Sequence, residues 1–361
     1  MKNKEKLSLV IFIALMGTST LALTSNLIFN NFLTDAFSYI LELSIIIVFL
    51  FYFSKFVVHI FKKKDFVENL RDPLKSNLYS SIPIAAALIS LMLTNIGLPY
   101  LNQHTGSLSI FFWLLSLIFS LIFVVLVPIN LKFKSKVEHV SGTWFLPPVG
   151  LFVLITAGST LTLKTGFLPR YMFLINLLLF GPAFVLYFLT LTLVYFRSKF
   201  YELSQEKIAP TFNIVLAPVA VSILAMISTS KLLLKYDLFD LSGAFLGISR
   251  VYSIVIFGYG LWILFGLLSL YYKIIKQKEK IPFSELWWAF VFPIGAFTLA
   301  TINLHSFVVN FPFFEGIYYL LYFILLFLWI YIFLKQSIIY FDTSRKKKML
   351  RHTGGEKNIS K

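Results

Sequence analysis

The chain has 361 residues, 58% of them hydrophobic and 13% charged, with 41 phenylalanines, a net charge of +16 and a mean hydropathy of +0.83. A soluble core of this size cannot hide so much apolar surface, which implies a polytopic membrane protein. With no cysteine in the chain, disulfides, thiolate metal sites and cysteine nucleophiles are excluded.

A helix needs about 20 apolar residues to cross the hydrocarbon core. Runs of that length predict ten spans, at 8–28, 37–60, 79–98, 108–130, 143–163, 168–195, 208–230, 246–272, 285–307 and 314–340. The first follows Lys2, Lys4 and Lys6 and contains Gly17-Thr18-Ser19-Thr20. It is too long for a signal-peptide core and lacks a small-x-small cleavage site, so it reads as an uncleaved helix. The second carries Glu42, the only acid well inside an apolar run. An intramembrane carboxylate is a functional candidate by default, but its place near the extracytoplasmic start favours a structural role. Hydroxyls and prolines then recur: Ser80, Ser81 and Pro83 in the third span, Pro147, Pro148, Ser159 and Thr160 in the fifth. The seventh holds Pro218 and Ser222, and the ninth Pro293, Thr298 and Thr301. Residues 1–341 form a single transmembrane domain, and the basic segment 342–361 reads as a disordered cytoplasmic tail.

Lys and Arg alternate sides along this layout, 25 on one side against five (Lys164, Arg170, Lys231, Lys235 and Arg250) on the other. The positive-inside rule puts both termini in the cytoplasm, and the chain is expected as a multi-pass protein of the cell (cytoplasmic or inner) membrane. Topology thus accounts for the positive charge, and nucleic acid is not a partner.

The odd spans start near 8, 79, 143, 208 and 285, which makes five helical hairpins. Mid-helix proline marks the odd members, with Pro182 in the sixth span as an exception, whereas the even members are smooth and rich in Phe, Leu and Ile. Bent helices survive in lipid where the freed backbone groups face protein or water. The odd set is therefore placed inside and the even set against lipid. The pattern alone fits either inner helices that enclose a path or bent helices that pack on one another.

Catalytic constellations are scarce. The histidines (His59, His104, His139, His305 and His352) lie at helix ends, in loops or in the tail, and no His-Glu-x-x-His occurs. No enzyme activity, metal or cofactor is expected. The pore-lining or helix-kink candidates are Gly17, Thr18, Ser19, Ser81, Pro83, Pro148, Pro218, Ser222, Pro293 and Thr298. The shortage of buried carboxylates argues against a cation path, and hydroxyls with helix N-termini suit anions.

The run Trp287-Trp288-Ala289-Phe290-Val291-Phe292-Pro293-Ile294-Gly295-Ala296, followed by Ala300-Thr301, resembles the ninth-helix signature of the tellurite-resistance/dicarboxylate transporter family, which includes the plant slow-type anion channels. Met16-Gly17-Thr18-Ser19 resembles the first-helix motif, Trp144-Phe145-Leu146-Pro147-Pro148-Val149-Gly150 the fifth, and Ala217-Pro218-Val219-Ala220 the seventh. Asp72-Pro73-Leu74-Lys75 stands where the family often has His-Pro-x-Arg, so Asp72 and Lys75 depart from it. The resemblance implies an all-α fold of five hairpins in quasi-fivefold arrangement around a central pore, often as a homotrimer. It also implies a phenylalanine that plugs the pore, and the matching residue is Phe292.

The expected function is movement of small inorganic or dicarboxylate anions across the bilayer through a Phe-gated central pore. The rival is a secondary carrier, coupled to protons or not, for C4-dicarboxylates, sulfite or tellurite-type oxyanions.

Overall fold

The computed structural model describes residues 8–61, 63–97, 104–131, 137–201, 209–276, 281–308 and 311–355, and among these no strand occurs. The first half contains α1 (Val10–Phe29), α2 (Phe32–Phe61), the short α3 (Lys63–Leu70) and α4 (Pro73–Leu78), α5 (Ser81–Asn95) and α6 (Thr105–Leu131). The second half contains α7 (Leu146–Thr165), α8 (Pro169–Phe200), α9 (Leu216–Tyr236), α10 (Ser242–Lys276), α11 (Val291–Val308) and α12 (Pro312–Gly355). Ten of the described stretches are long and apolar enough to cross a membrane, in the predicted order. The odd spans are α1, α5, α7, α9 and α11; the even spans are α2, α6, α8, α10 and α12.

Burial separates the two sets. Within an 18-residue apolar stretch of each span, 67% to 94% of the residues are buried in the odd set and 22% to 33% in the even set. Each even helix buries one stripe, as α2 does with Ser38, Leu41, Glu42, Ile45 and Phe49, and turns Leu, Ile and Phe outward. Each hairpin packs its even helix on its odd partner. Among themselves the odd helices make a closed circuit, α1 on α5, α5 on α7, α7 on α9, α9 on α11 and α11 back on α1.

Lipid gives no hydrophobic incentive for helices to associate, so polar contacts and close packing must hold the two layers together. Ser38 Oγ donates to the Ala22 carbonyl, Ser116 Oγ to that of Pro83, and Trp113 Nε1 to that of Leu154. Trp329 Nε1 donates to Thr18 Oγ1 at 3.0 Å, which fixes α12 on α1. Asp72, the departure from the family motif, caps α4 by accepting from the Leu74 and Lys75 amides, both at 3.0 Å.

The prolines lie at helix starts, not in mid-helix as expected. Pro83, Pro148, Pro218 and Pro293 are each the third residue of their α-helix. There the missing N–H has no intrahelical partner to lose, so proline starts a helix and need not kink one. Short 3-10 turns precede three of them, at Gly142–Phe145, Ala209–Val215 and Glu285–Phe290. Prolines do lie inside even helices, Pro128 in α6 and Pro182 in α8.

Other boundaries also moved. α9 runs to Tyr236, past the predicted end at 230, because Lys231 and Lys235 can continue a helix on their aliphatic stems. α12 spans 44 residues to Gly355, so the backbone of 342–355 is helical where a disordered tail was expected. Arg, Lys, Met and Leu propagate a helix that has already been nucleated.

The circuit closes at the crossing of α1 and α11. A Cβ on Gly17 would come within 2.9 Å of the Val291 side chain, and one on Gly295 would collide with Thr20 Oγ1. Gly295→Val is expected to destabilise the protein by about 1–3 kcal/mol through overpacking, seen as a lower unfolding temperature in detergent. Gly316→Val, where a Cβ meets nothing within 4 Å, should leave that temperature unchanged.

Candidate functional site

All five odd spans meet at one small cavity of about 10 Å³. α1 contributes Thr20, α5 Leu88 and Leu91, and α7 Val153 and Thr156. α9 contributes Val221 and Leu224, and α11 contributes Phe292, Ala296 and Leu299. A space of that size holds about one water molecule. Phe292 is the largest side chain on it and is only 1% exposed.

Phe292 is the second residue of α11, at the junction between the 3-10 turn and the α-helix. Proline at the next position starts the α-helix there. Gly17 lets α1 approach, its missing Cβ falling 3.4 Å from the Phe292 amide nitrogen. Small residues thus press the two backbones together behind the ring.

The wall of the cavity is apolar apart from two threonines, and their hydroxyls are engaged. Thr20 Oγ1 donates to the Gly17 carbonyl at 2.8 Å and Thr156 Oγ1 to that of Phe152 at 2.9 Å. A closed apolar constriction of this kind excludes hydrated ions by bulk and by dewetting.

Of the residues predicted to line or bend a pore, Phe292 alone lies on this cavity. Ser19, Ser81, Ser222 and Thr298 donate to carbonyls of their own chain segments, at Leu15, Leu78, Val219 and Ile294. Helical hydroxyls satisfy themselves in this way by default. Thr18 faces α12. Ser159 sits between helices, accepting from Asn176 Nδ2 of α8 at 2.8 Å and lying 3.2 Å from Thr229 Oγ1 of α9. Gly17 is a packing position, and Pro83, Pro148, Pro218 and Pro293 stand at helix starts. Glu42 is fully buried in α2, and neither carboxylate oxygen has a hydrogen-bond partner among the described residues.

The residues that reasoning missed are the apolar ones, and they keep a register. In α5 and α7 the lining residues stand five and eight positions after Pro83 and Pro148. In α9 and α11 they stand three and six after Pro218 and Pro293. Those offsets are the signal that could have found them.

A larger cleft of about 1050 Å³ lies to the side, between α1, α2, α12 and the turn before α11. It shares no residue with the axial cavity, and only one inner helix, α1, borders it. The axial cavity is the candidate site because every inner helix contributes to it.

Ten spans in two layers, with the inner layer closed on one constriction, define a multi-pass membrane transport protein. A family model described as voltage-dependent anion channel matches residues 6–336. The chain belongs to that family, the one its ninth-helix motif resembles. Among its relatives is an uncharacterized transporter of Methanocaldococcus jannaschii, 30% identical over 88% of this chain and 89% of the relative. A second uncharacterized transporter of the same organism is 29% identical over 88% of this chain and 90% of its own length. A sulfite efflux pump of Arthroderma benhamiae is 25% identical over 76% of this chain and 74% of the pump. The family is one of anion channels, and these relatives are transporters and an efflux pump.

If the two cavity threonines only satisfy their own helices, Thr20→Val and Thr156→Val will change anion flux in liposomes less than about twofold. A neutral hydrogen bond of this kind contributes about 1 kcal/mol. A tenfold loss of flux would instead put the hydroxyls in contact with the ion.

Proposed function

We propose that this protein conducts small anions through the axis enclosed by α1, α5, α7, α9 and α11, with the Phe292 ring as its gate. The observation that carries the reading is the 10 Å³ constriction, to which all five inner helices contribute and on which Phe292 is the largest side chain. The closed circuit of inner helices supports a quasi-fivefold arrangement of the hairpins around that axis.

Electrostatics favour anions. The described α1, α5, α7, α9 and α11 contain no aspartate or glutamate. All five inner helices run the same way, so their positive N-terminal ends share one side. The excess of basic residues favours the cytoplasm for that side and for both termini, and the proposal sets the chain in the cell membrane. The homotrimer follows from the family resemblance and belongs to the same proposal.

In this mechanism the resting ring keeps the constriction dry, and rotation of Phe292 away from the axis admits a partly dehydrated anion. No side-chain acid on the inner helices has to take or give a proton, which favours passive conduction. The sulfite efflux pumps among the relatives support the second reading, a carrier for sulfite or a similar oxyanion.

Phe292→Ala in reconstituted bilayers is expected to raise current in chloride, nitrate, sulfite and malate by tenfold or more, a barrier change of about 1.4 kcal/mol or above. Unchanged current in every anion would rule out the gate. Flux that saturates and follows an imposed pH gradient would replace the channel by the carrier.

A further inference from the structure

One turn beyond the constriction, toward the C-terminal ends of the inner helices, the same face changes character. The last cavity-lining residues are Thr20, Leu91, Thr156, Leu224 and Leu299, one from each odd span. Four positions further on, the residues are Thr24, Asn95, Thr160, Ser228 and Asn303, polar in all five helices. A four-residue step keeps to one helix face and rises about 6 Å. Four of these side chains bond directly to the lining residues below them, Thr24 Oγ1 donating to the Thr20 carbonyl at 2.8 Å. Asn95 Nδ2 donates to the Leu91 carbonyl at 2.9 Å, Thr160 Oγ1 to that of Thr156 at 2.8 Å, and Asn303 Nδ2 to that of Leu299 at 3.0 Å.

Lys231 stands on the same face of α9, seven residues after Leu224 and one turn above Ser228. Its side chain is half-buried, whereas Lys164 and Lys235 nearby are exposed. Lys235 Nζ donates to the Leu163 carbonyl, so the neutralisation of helix ends is already served by another lysine. Among the described residues Lys231 makes no ion pair. A lysine drawn inward on a spanning helix faces the bundle interior or a water-filled cavity.

We infer that Thr24, Asn95, Thr160, Ser228 and Asn303 form a polar ring at the extracytoplasmic mouth of the pore, where Lys231 holds a small inorganic anion. The inference rests on the proposed pore and adds a binding site to it. Lys231 supplies a positive charge with three N–H donors, and the amides of Asn95 and Asn303 each retain a second N–H beyond the one given to their own helix. Those donors replace part of the hydration shell before the ion meets the apolar constriction. Weak, exchangeable binding next to a dry gate is what conduction requires. Lys231 is thus a specificity-determining residue, and the ligand class is a monovalent anion or small oxyanion.

The test has two independent arms. In the first, Lys231→Gln is combined with Phe292→Ala, and anion flux is measured at low and high salt. The charge acts over about 30 Å at 0.01 M and about 3 Å at 1 M. Loss of Lys231 is therefore expected to cut flux about threefold or more at low salt and little at high salt. Lys164→Gln, an exposed control, should not change it. An equal effect at both salts, or none, overturns the ring while leaving the Phe292 gate standing.

The second arm does not need conduction. The chain contains no cysteine, so Ser228→Cys introduces a single thiol one turn below Lys231 and leaves the lysine in place. It should react with a membrane-impermeant sulfonate thiol reagent added from the extracytoplasmic side, and nitrate should slow that reaction. An unreactive thiol, or one that nitrate does not protect, overturns the site. If Phe292→Ala passes no anion, the pore reading fails and the labelling result still decides whether this face binds an anion.

Discussion

The structure depends on one close crossing, that of α1 and α11 at Gly17 and Gly295. These helices come from opposite ends of the chain, and only their contact turns a row of inner helices into a closed circuit. A side chain at Gly295 would collide with Thr20, which itself lines the axial cavity. A side chain at Gly17 would press on Val291, beside the Phe292 backbone. Separating the backbones there would withdraw the phenylalanine from the axis. Helix packing and the proposed gate are therefore one problem with one solution.

The even helices follow from that closure. They have little core of their own to build and turn most of their surface outward. What they add is a second layer and a set of donors, among them Ser38, Ser116, Trp113 and Trp329, aimed at carbonyls and a hydroxyl of the inner ring. In hydrocarbon an unmatched polar group is costly, so these bonds fix which face of each outer helix looks inward. The division between layers is chemical before it is geometric.

Much of this was legible in the sequence. Ten spans, five hairpins and the inner place of the odd set follow from run length, spacing and apolar content, because hydropathy reports the lipid directly. The prolines were placed less well. Apolar lead-in turns such as Phe212–Val215 and Trp287–Phe290 extend each hydrophobic run upstream, so a proline in the first helical turn reads as one in the middle. The constriction was least legible. Leu88, Val153 and Leu224 face an axis, yet in hydropathy they are the same as leucines and valines that face a neighbouring helix. Hydroxyls drew attention instead, and Ser19, Ser222 and Thr298 turned back to their own backbones. Phe292 was found through the family motif around it, since nothing in its own chemistry separates it from forty other phenylalanines.

The central claim is that the bulk of one side chain closes an otherwise continuous anion path. The most direct measurement is chloride conductance across the series Phe292→Trp, wild type, Phe292→Leu, Phe292→Val and Phe292→Ala, each reconstituted at equal density. The account predicts conductance that rises in order as the side chain shrinks, with the tryptophan variant at or below wild type. A flat series, or a rise unrelated to side-chain size, would contradict it.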